Sequence, residues 1–129
     1  MATKTIGHSR TFKTAADYSA KQNYIVWVAN GIATLADDAD VPGENIMGTI
    51  QNKPQAAASA NVEVSLPHGG ATSKVKLGGT VSAGDQLTTD SAGKAIVTTT
   101  SDDYVFGLAL WDGVDGDVIE YTPGFDIVD

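Results

Sequence analysis

Tyr24-Ile25-Val26-Trp27-Val28-Ala29-Asn30-Gly31-Ile32-Ala33-Thr34-Leu35 reads as two short strands joined by a two-residue turn. β-Branched and aromatic residues fill both flanks, which favours extended backbone. Asn-Gly supplies the two positive φ values of a type I′ turn, whose twist matches that of a hairpin. A second hairpin is read further along, from Asp85-Gln86-Leu87-Thr88-Thr89 through Asp90-Ser91-Ala92-Gly93 to Lys94-Ala95-Ile96-Val97-Thr98, with a longer loop.

Outward from these hairpins the pattern repeats. Each is followed, after an acidic loop, by a strand with glycine at its centre, Asn45-Ile46-Met47-Gly48-Thr49-Ile50 and Tyr104-Val105-Phe106-Gly107-Leu108-Ala109. Each then has a closing strand, Val62-Glu63-Val64-Ser65-Leu66 and Asp117-Val118-Ile119-Glu120-Tyr121, alternating apolar with polar as a half-buried strand does. This predicts an internal duplication over residues 24–66 and 85–122, with one further strand at Val75-Lys76-Leu77-Gly78-Gly79-Thr80-Val81 between the halves. Eight or nine strands with frequent turns and no room for crossover helices predict an all-β fold, a small antiparallel β-barrel or sandwich.

The chain has 129 residues, one domain's worth and too little for two independent cores. Much of its 42% hydrophobic content is alanine, so the expected core is thin. With no cysteine, disulfide frameworks, thiolate metal sites and thiol nucleophiles are excluded. The formal net charge of −8 argues against a nucleic-acid surface, which needs clustered Lys and Arg. No apolar run is long enough to cross a membrane and the start lacks a signal-peptide core, so the expectation is a soluble chain made in the cytoplasm. The charge is uneven: residues 1–36 carry Lys4, Arg10, Lys13 and Lys21 against Asp17 alone, and the acids lie beyond. Residues 1–22 show neither a strand nor a helix period and are read as an extended N-terminal arm on a β domain of residues 23–129.

The side chains that do chemistry are sparse. His8 falls in the arm and His68 in the turn Pro67-His68-Gly69-Gly70, neither with an acid-base partner in view. Asp112-Gly113-Val114-Asp115-Gly116-Asp117 superficially resembles a calcium loop, but Val114 and Pro123 stand where an EF-hand needs acidic ligands, so it reads as a solvated turn. Asp37-Asp38-Ala39-Asp40 reads as a charged loop. Gly69-Gly70, Gly78-Gly79 and Gly84 fit neither the dinucleotide nor the P-loop pattern. Trp27 and Trp111 read as core or subunit-interface residues, with a sugar-stacking platform as the alternative. The sequence therefore predicts no enzyme, no metal site and no cofactor.

Several segments resemble the capsid decoration, or cement, proteins of tailed double-stranded DNA bacteriophages. They are Thr11-Phe12-Lys13-Thr14-Ala15-Ala16-Asp17-Tyr18-Ser19-Ala20-Lys21-Gln22, Ile46-Met47-Gly48-Thr49-Ile50-Gln51-Asn52-Lys53-Pro54, Gly79-Thr80-Val81-Ser82-Ala83-Gly84-Asp85, Thr89-Asp90-Ser91-Ala92-Gly93-Lys94-Ala95 and Phe106-Gly107-Leu108-Ala109. The resemblance implies a non-enzymatic virion protein that binds the outer surface of the head, commonly as a homotrimer, and braces the shell. Its partners would be the major capsid protein and its own copies. On that reading Lys4, Arg10, Phe12, Lys13 and Tyr18 are the candidate capsid-binding residues of the arm, and Trp111 and Phe125 the candidate subunit-interface anchors. A phage tail or fibre module that binds host glycans through Trp27 or Trp111 is the alternative.

Overall fold

The computed structural model describes residues 9–36, 46–65, 72–98 and 104–127. They form ten strands: β1 (Ser9–Thr14), β2 (Ile25–Ala29), β3 (Ile32–Leu35), β4 (Ile46–Ile50), β5 (Asn61–Ser65), β6 (Ser73–Lys76), β7 (Gln86–Thr89), β8 (Ala95–Val97), β9 (Tyr104–Ala109) and β10 (Val118–Ile127). The all-β class is as the sequence predicts. Asn30 and Gly31, at φ 54° and 78°, make the turn between β2 and β3, which pair from Ala29↔Ile32 to Val26↔Leu35.

Strands β1 to β5 close into a barrel in the order β1-β3-β2-β4-β5. Here the structure corrects the expectation of a wholly antiparallel sheet, because β1 runs parallel to β3. The reason is parity. Five strands closed in a ring cannot all alternate in direction, so one neighbouring pair must be parallel. The other five strands form a sheet in the order β6-β10-β9-β7-β8, and a parallel bridge between Leu77 and Ala95 links its two ends.

The two halves share one strand plan. Val26 pairs with Gly48 as Leu87 pairs with Gly107, and Val26 with Leu35 as Leu87 with Val97. Ile50 meets Val64 as Ala109 meets Tyr121, and Phe12 meets Val62 as Val75 meets Ile119. Thr14 lies beside Ala33 as Leu77 lies beside Ala95. The correspondence closes around the whole sheet without a slip, and a one-residue shift anywhere would break it. Gly48 and Gly107 thus hold equivalent positions. The repeat covers β1–β5 and β6–β10, so each unit includes a first strand that lies outside the sequence-based boundaries of 24–66 and 85–122.

The arm is accordingly corrected for residues 9–22. Strand β1 fills the gap between β3 and β5, Phe12 packs against the barrel core, and Tyr18 is buried there with its hydroxyl accepting the Leu35 N–H at 2.8 Å. Residues 1–8, with Lys4 and His8, lie outside the described residues, as does His68.

The thin core takes the form of two apolar clusters. One apolar cluster fills the barrel, around Val26, Val28, Ala33, Ile50, Val62 and Val64. A second fills the other half, around Val75, Leu77, Leu87, Phe106, Ile119 and Tyr121. A chain this short supports two clusters because they are not independent: Ile25 and Ala36 of the first half are buried in the second cluster. The alternation of strand side chains explains this, since Val26 and Val28 point into the barrel while Ile25 points out of it.

Candidate functional surface

The join between the halves is built from the outer face of the barrel. Along β2, β4 and β5 the neighbouring residues Ile25, Thr49 and Ser65 are all essentially without solvent contact. Backbone bonds cross the join where the seam between β6 and β8 stands open, short of the Leu77–Ala95 bridge. Lys76 N–H donates to the Asn23 carbonyl at 2.8 Å, and Ile25 N–H donates to the Gly93 carbonyl at 2.7 Å. In the first half the equivalent seam is shut on itself, Lys13 N–H donating to the Gly31 carbonyl at 2.9 Å. The second half therefore accepts a piece of the first where the first completes its own barrel.

A cluster of polar side chains sits in this join. The Tyr121 hydroxyl is 2.6 Å from Thr49 Oγ1, Ser65 Oγ bonds Ser73 Oγ, and Gln51 donates to Thr49 Oγ1 and to the Lys74 carbonyl while accepting the Lys74 N–H. Burial pushes the Tyr121 phenol up to about 12, against the pull of its hydroxyl neighbours Thr49, Ser65 and Ser73. The folded protein holds this proton through the range above 10 in which an unfolded tyrosine releases it. Stability is therefore complete below pH 10 and falls as pH rises toward 12, by about 2–3 kcal/mol. Denaturant unfolding across that range checks this: a Tyr121→Phe variant, less stable at neutral pH for want of the hydroxyl, is expected to show a shallower alkaline slope. Equal slopes would contradict it.

The loop carboxylates do structural work. Asp17 accepts the Ser19 N–H, which lowers its pKa below the usual value through backbone and side-chain bonds from Ser19. Asp85 accepts the Ser82 N–H, Asp90 those of Ala92 and Lys94, Asp112 that of Ala83, and Asp117 that of Val114. The Asp112–Asp117 segment is thus a turn held by its own carboxylates. Among the described residues no group of acidic or histidine side chains is placed to hold a metal ion.

The sequence-predicted site residues separate into different environments. Tyr18 is buried in the barrel core and Phe12 packs half-buried against it, so neither stands on a free arm. Arg10 and Lys13 stay exposed on β1. Trp111 is 61% exposed, its indole N–H 3.4 Å from Glu120, while Trp27 packs on the second cluster. The side chain of Phe125 lies outside the described residues.

Around Trp111 runs a face that the sequence reading missed. Leu108 and Leu110 of the β9 segment and Val118 of β10 are each at least 40% exposed. An open groove of about 660 Å³ at Trp111 and Val118 is lined also by Lys74, Asp112, Asp117, Ile119 and Glu120. The signal was present: Leu108-Ala109-Leu110 alternates, and the burial of Ala109 sends both leucines outward.

No protein-family model matches the chain and no curated protein matches it. Among solved structures, the fold is similar to that of the head fibre gp8.5 N base of bacteriophage phi29, with a TM-score of 0.65 and 18% sequence identity. The similarity covers 94% of this chain and 97% of that one.

Proposed function

We propose that the protein is a structural component of a tailed-phage head, bound to the outer surface of the shell as a decoration protein and bracing it there. The carrying observation is the fold likeness to a phage head fibre base, which extends over nearly the whole of both chains. The segments that resemble cement proteins point the same way, and so do carboxylates engaged in turns rather than set in a reactive constellation. On this reading the partners are the major capsid protein and further copies of the chain, as a homotrimer, and the protein works without catalysis or cofactor. The shell contact proposed for the N-terminal segment rests on Lys4, Arg10 and Lys13, the last two exposed on β1, with Tyr18 buried in the barrel.

A fibre-type module that binds host glycans is the second reading, favoured by one observation, the exposed Trp111 beside an acidic groove. Copy number on gradient-purified particles separates the two. Near-stoichiometry with the major head protein is expected for decoration. A count in the tens, concentrated on tails or fibres, would overturn it in favour of the second reading.

A further inference from the structure

The repeat relates the two halves residue by residue, so it also shows which surfaces of each are covered and which are left open. On the first half, the residues that receive the second half include Thr49 and Gln51. Their equivalents on the second half are Leu108 and Leu110, since Gly48 corresponds to Gly107. Backbone bonding agrees: Gln51 N–H donates to the Glu63 carbonyl as Leu110 N–H donates to that of Glu120. Thr49 is fully buried, whereas Leu108 and Leu110 are 41% and 40% exposed. The face that holds a neighbour in the first half is thus uncovered in the second, and there it is more apolar.

The converse surface is open on the first half. The second half meets the first through its β6–β8 seam, at Ser73, Lys74, Lys76 and Gly93. The equivalent positions on the first half are Arg10, Thr11, Lys13 and Gly31, on the β1–β3 seam. Next to Gly31 stands Ile32, 46% exposed. Of the six large hydrophobic side chains that are exposed among the described residues, Ile32 lies at this seam and the other five, Leu108, Leu110, Trp111, Val114 and Val118, belong to the second half between Leu108 and Val118. The charges are complementary too. The seam carries exposed Arg10 and Lys13, while Asp112, Asp117 and Glu120 line the groove beside Trp111 and Val118, with Lys74 its one cation.

We propose that copies of this chain associate head to tail, the β1–β3 seam of one copy seating on the Leu108–Leu110–Trp111 face of the next. The contact repeats between chains the placement that joins the two halves within a chain. Such a contact is heterologous: it uses two different surfaces and generates a ring when its rotation closes. It is a contact of side chains, because the Lys13 N–H and Gly31 carbonyl are already bonded to each other, and it is weaker than the internal join, which has backbone bonds across it. The proposal deepens the multi-copy reading above, but its test uses free protein and stands apart from binding to heads.

Ile32→Glu puts an acid on the seam that faces the acidic groove, Leu110→Arg puts a cation on the face that meets Arg10 and Lys13, and each leaves the other surface intact. In sedimentation velocity from micromolar to about 1 mM, where even millimolar affinity registers, wild-type protein is expected to assemble. Each variant alone is expected to lose association by at least tenfold, with an unchanged unfolding midpoint. Mixing the two variants restores one good interface, so heterodimers that grow no further are expected. A two-fold contact made from one self-complementary patch would not give this result. Should Leu110→Arg fail to fold, Trp111→Ser serves in its place. Wild-type protein that stays monomeric throughout, variants that associate like wild type, or a mixture no more associated than its components would each overturn the proposal.

Discussion

Replacing Ile25 by alanine is expected to destabilise the protein by about 2–5 kcal/mol, the range for truncating a fully buried isoleucine. The position gives the change an unusual reach. Ile25 belongs by sequence to β2 of the barrel, but its side chain is buried in the second cluster and its N–H donates to the Gly93 carbonyl across the join. A cavity there weakens the second core and loosens the attachment of the first half to the second. In a chain of this size the loss is a large fraction of a total stability of order 5–15 kcal/mol. Urea unfolding followed by tryptophan fluorescence checks it, since Trp27 lies at the join and Trp111 on the outer face of the second half. A single coincident transition is expected for the wild type, with a lower midpoint in the variant. Ile32→Ala, the same chemical change at an exposed position, is expected to stay within about 0.5 kcal/mol at low protein concentration. A similar loss at both positions would show that residue type and not the join sets the cost.

How much of this was legible beforehand depends on how far apart the interacting residues lie in the chain. The β2–β3 hairpin could be read because its turn chemistry and both strands sit within a dozen residues. The glycine strands were visible through their repetition. Strand β1 was not, because its pattern contains one large apolar residue, Phe12, and what makes it a strand is pairing with β5, in which Thr11 bonds Glu63 52 residues away. Thr14 illustrates the difficulty: it is buried at the place where the second half has Leu77. A hydroxyl that accepts the Ala60 N–H does there what a leucine does in the other copy, and no hydrophobic period records it. The join was invisible for a related reason. Thr49, Ser65, Ser73 and Tyr121 are ordinary surface-type residues on separate strands until the fold brings their hydroxyls together. The leucine face could have been read from alternation in Leu108-Ala109-Leu110-Trp111. Its meaning could not, because that comes from comparing the face with its covered counterpart at Thr49 and Gln51.

The same comparison of equivalent places predicts the response of the central glycine. A Cβ added at Gly107 would lie 2.5 Å from the Thr122 carbonyl oxygen and 2.6 Å from Cδ2 of Tyr121. The first contact is with backbone of the paired strand, so no rotamer change relieves it. The second is with a ring held on its other sides by Phe106, at 5.1 Å between centroids in an edge-to-face arrangement, and by the bond from its hydroxyl to Thr49. The barrel has Val64 where this half has Tyr121, so the space that glycine leaves open at this point is filled by the larger ring. Gly107→Ala must push β9 from β10 or turn the ring out of the hydroxyl cluster. Its expected cost is about 3 kcal/mol, at the upper end for overpacking. Gly79→Ala supplies the contrast. Its Cβ would meet only Ile96 Cγ2, at 3.7 Å, and Gly79 is not among the residues with positive φ. The loss of unfolded-state freedom then dominates, and a gain of about 0.4–1 kcal/mol is expected. Thermal unfolding of the two variants side by side is the measurement. A midpoint lowered in Gly107→Ala and raised or unchanged in Gly79→Ala is expected, and comparable losses in both would show that the close approach at Gly107 is not what fixes glycine there.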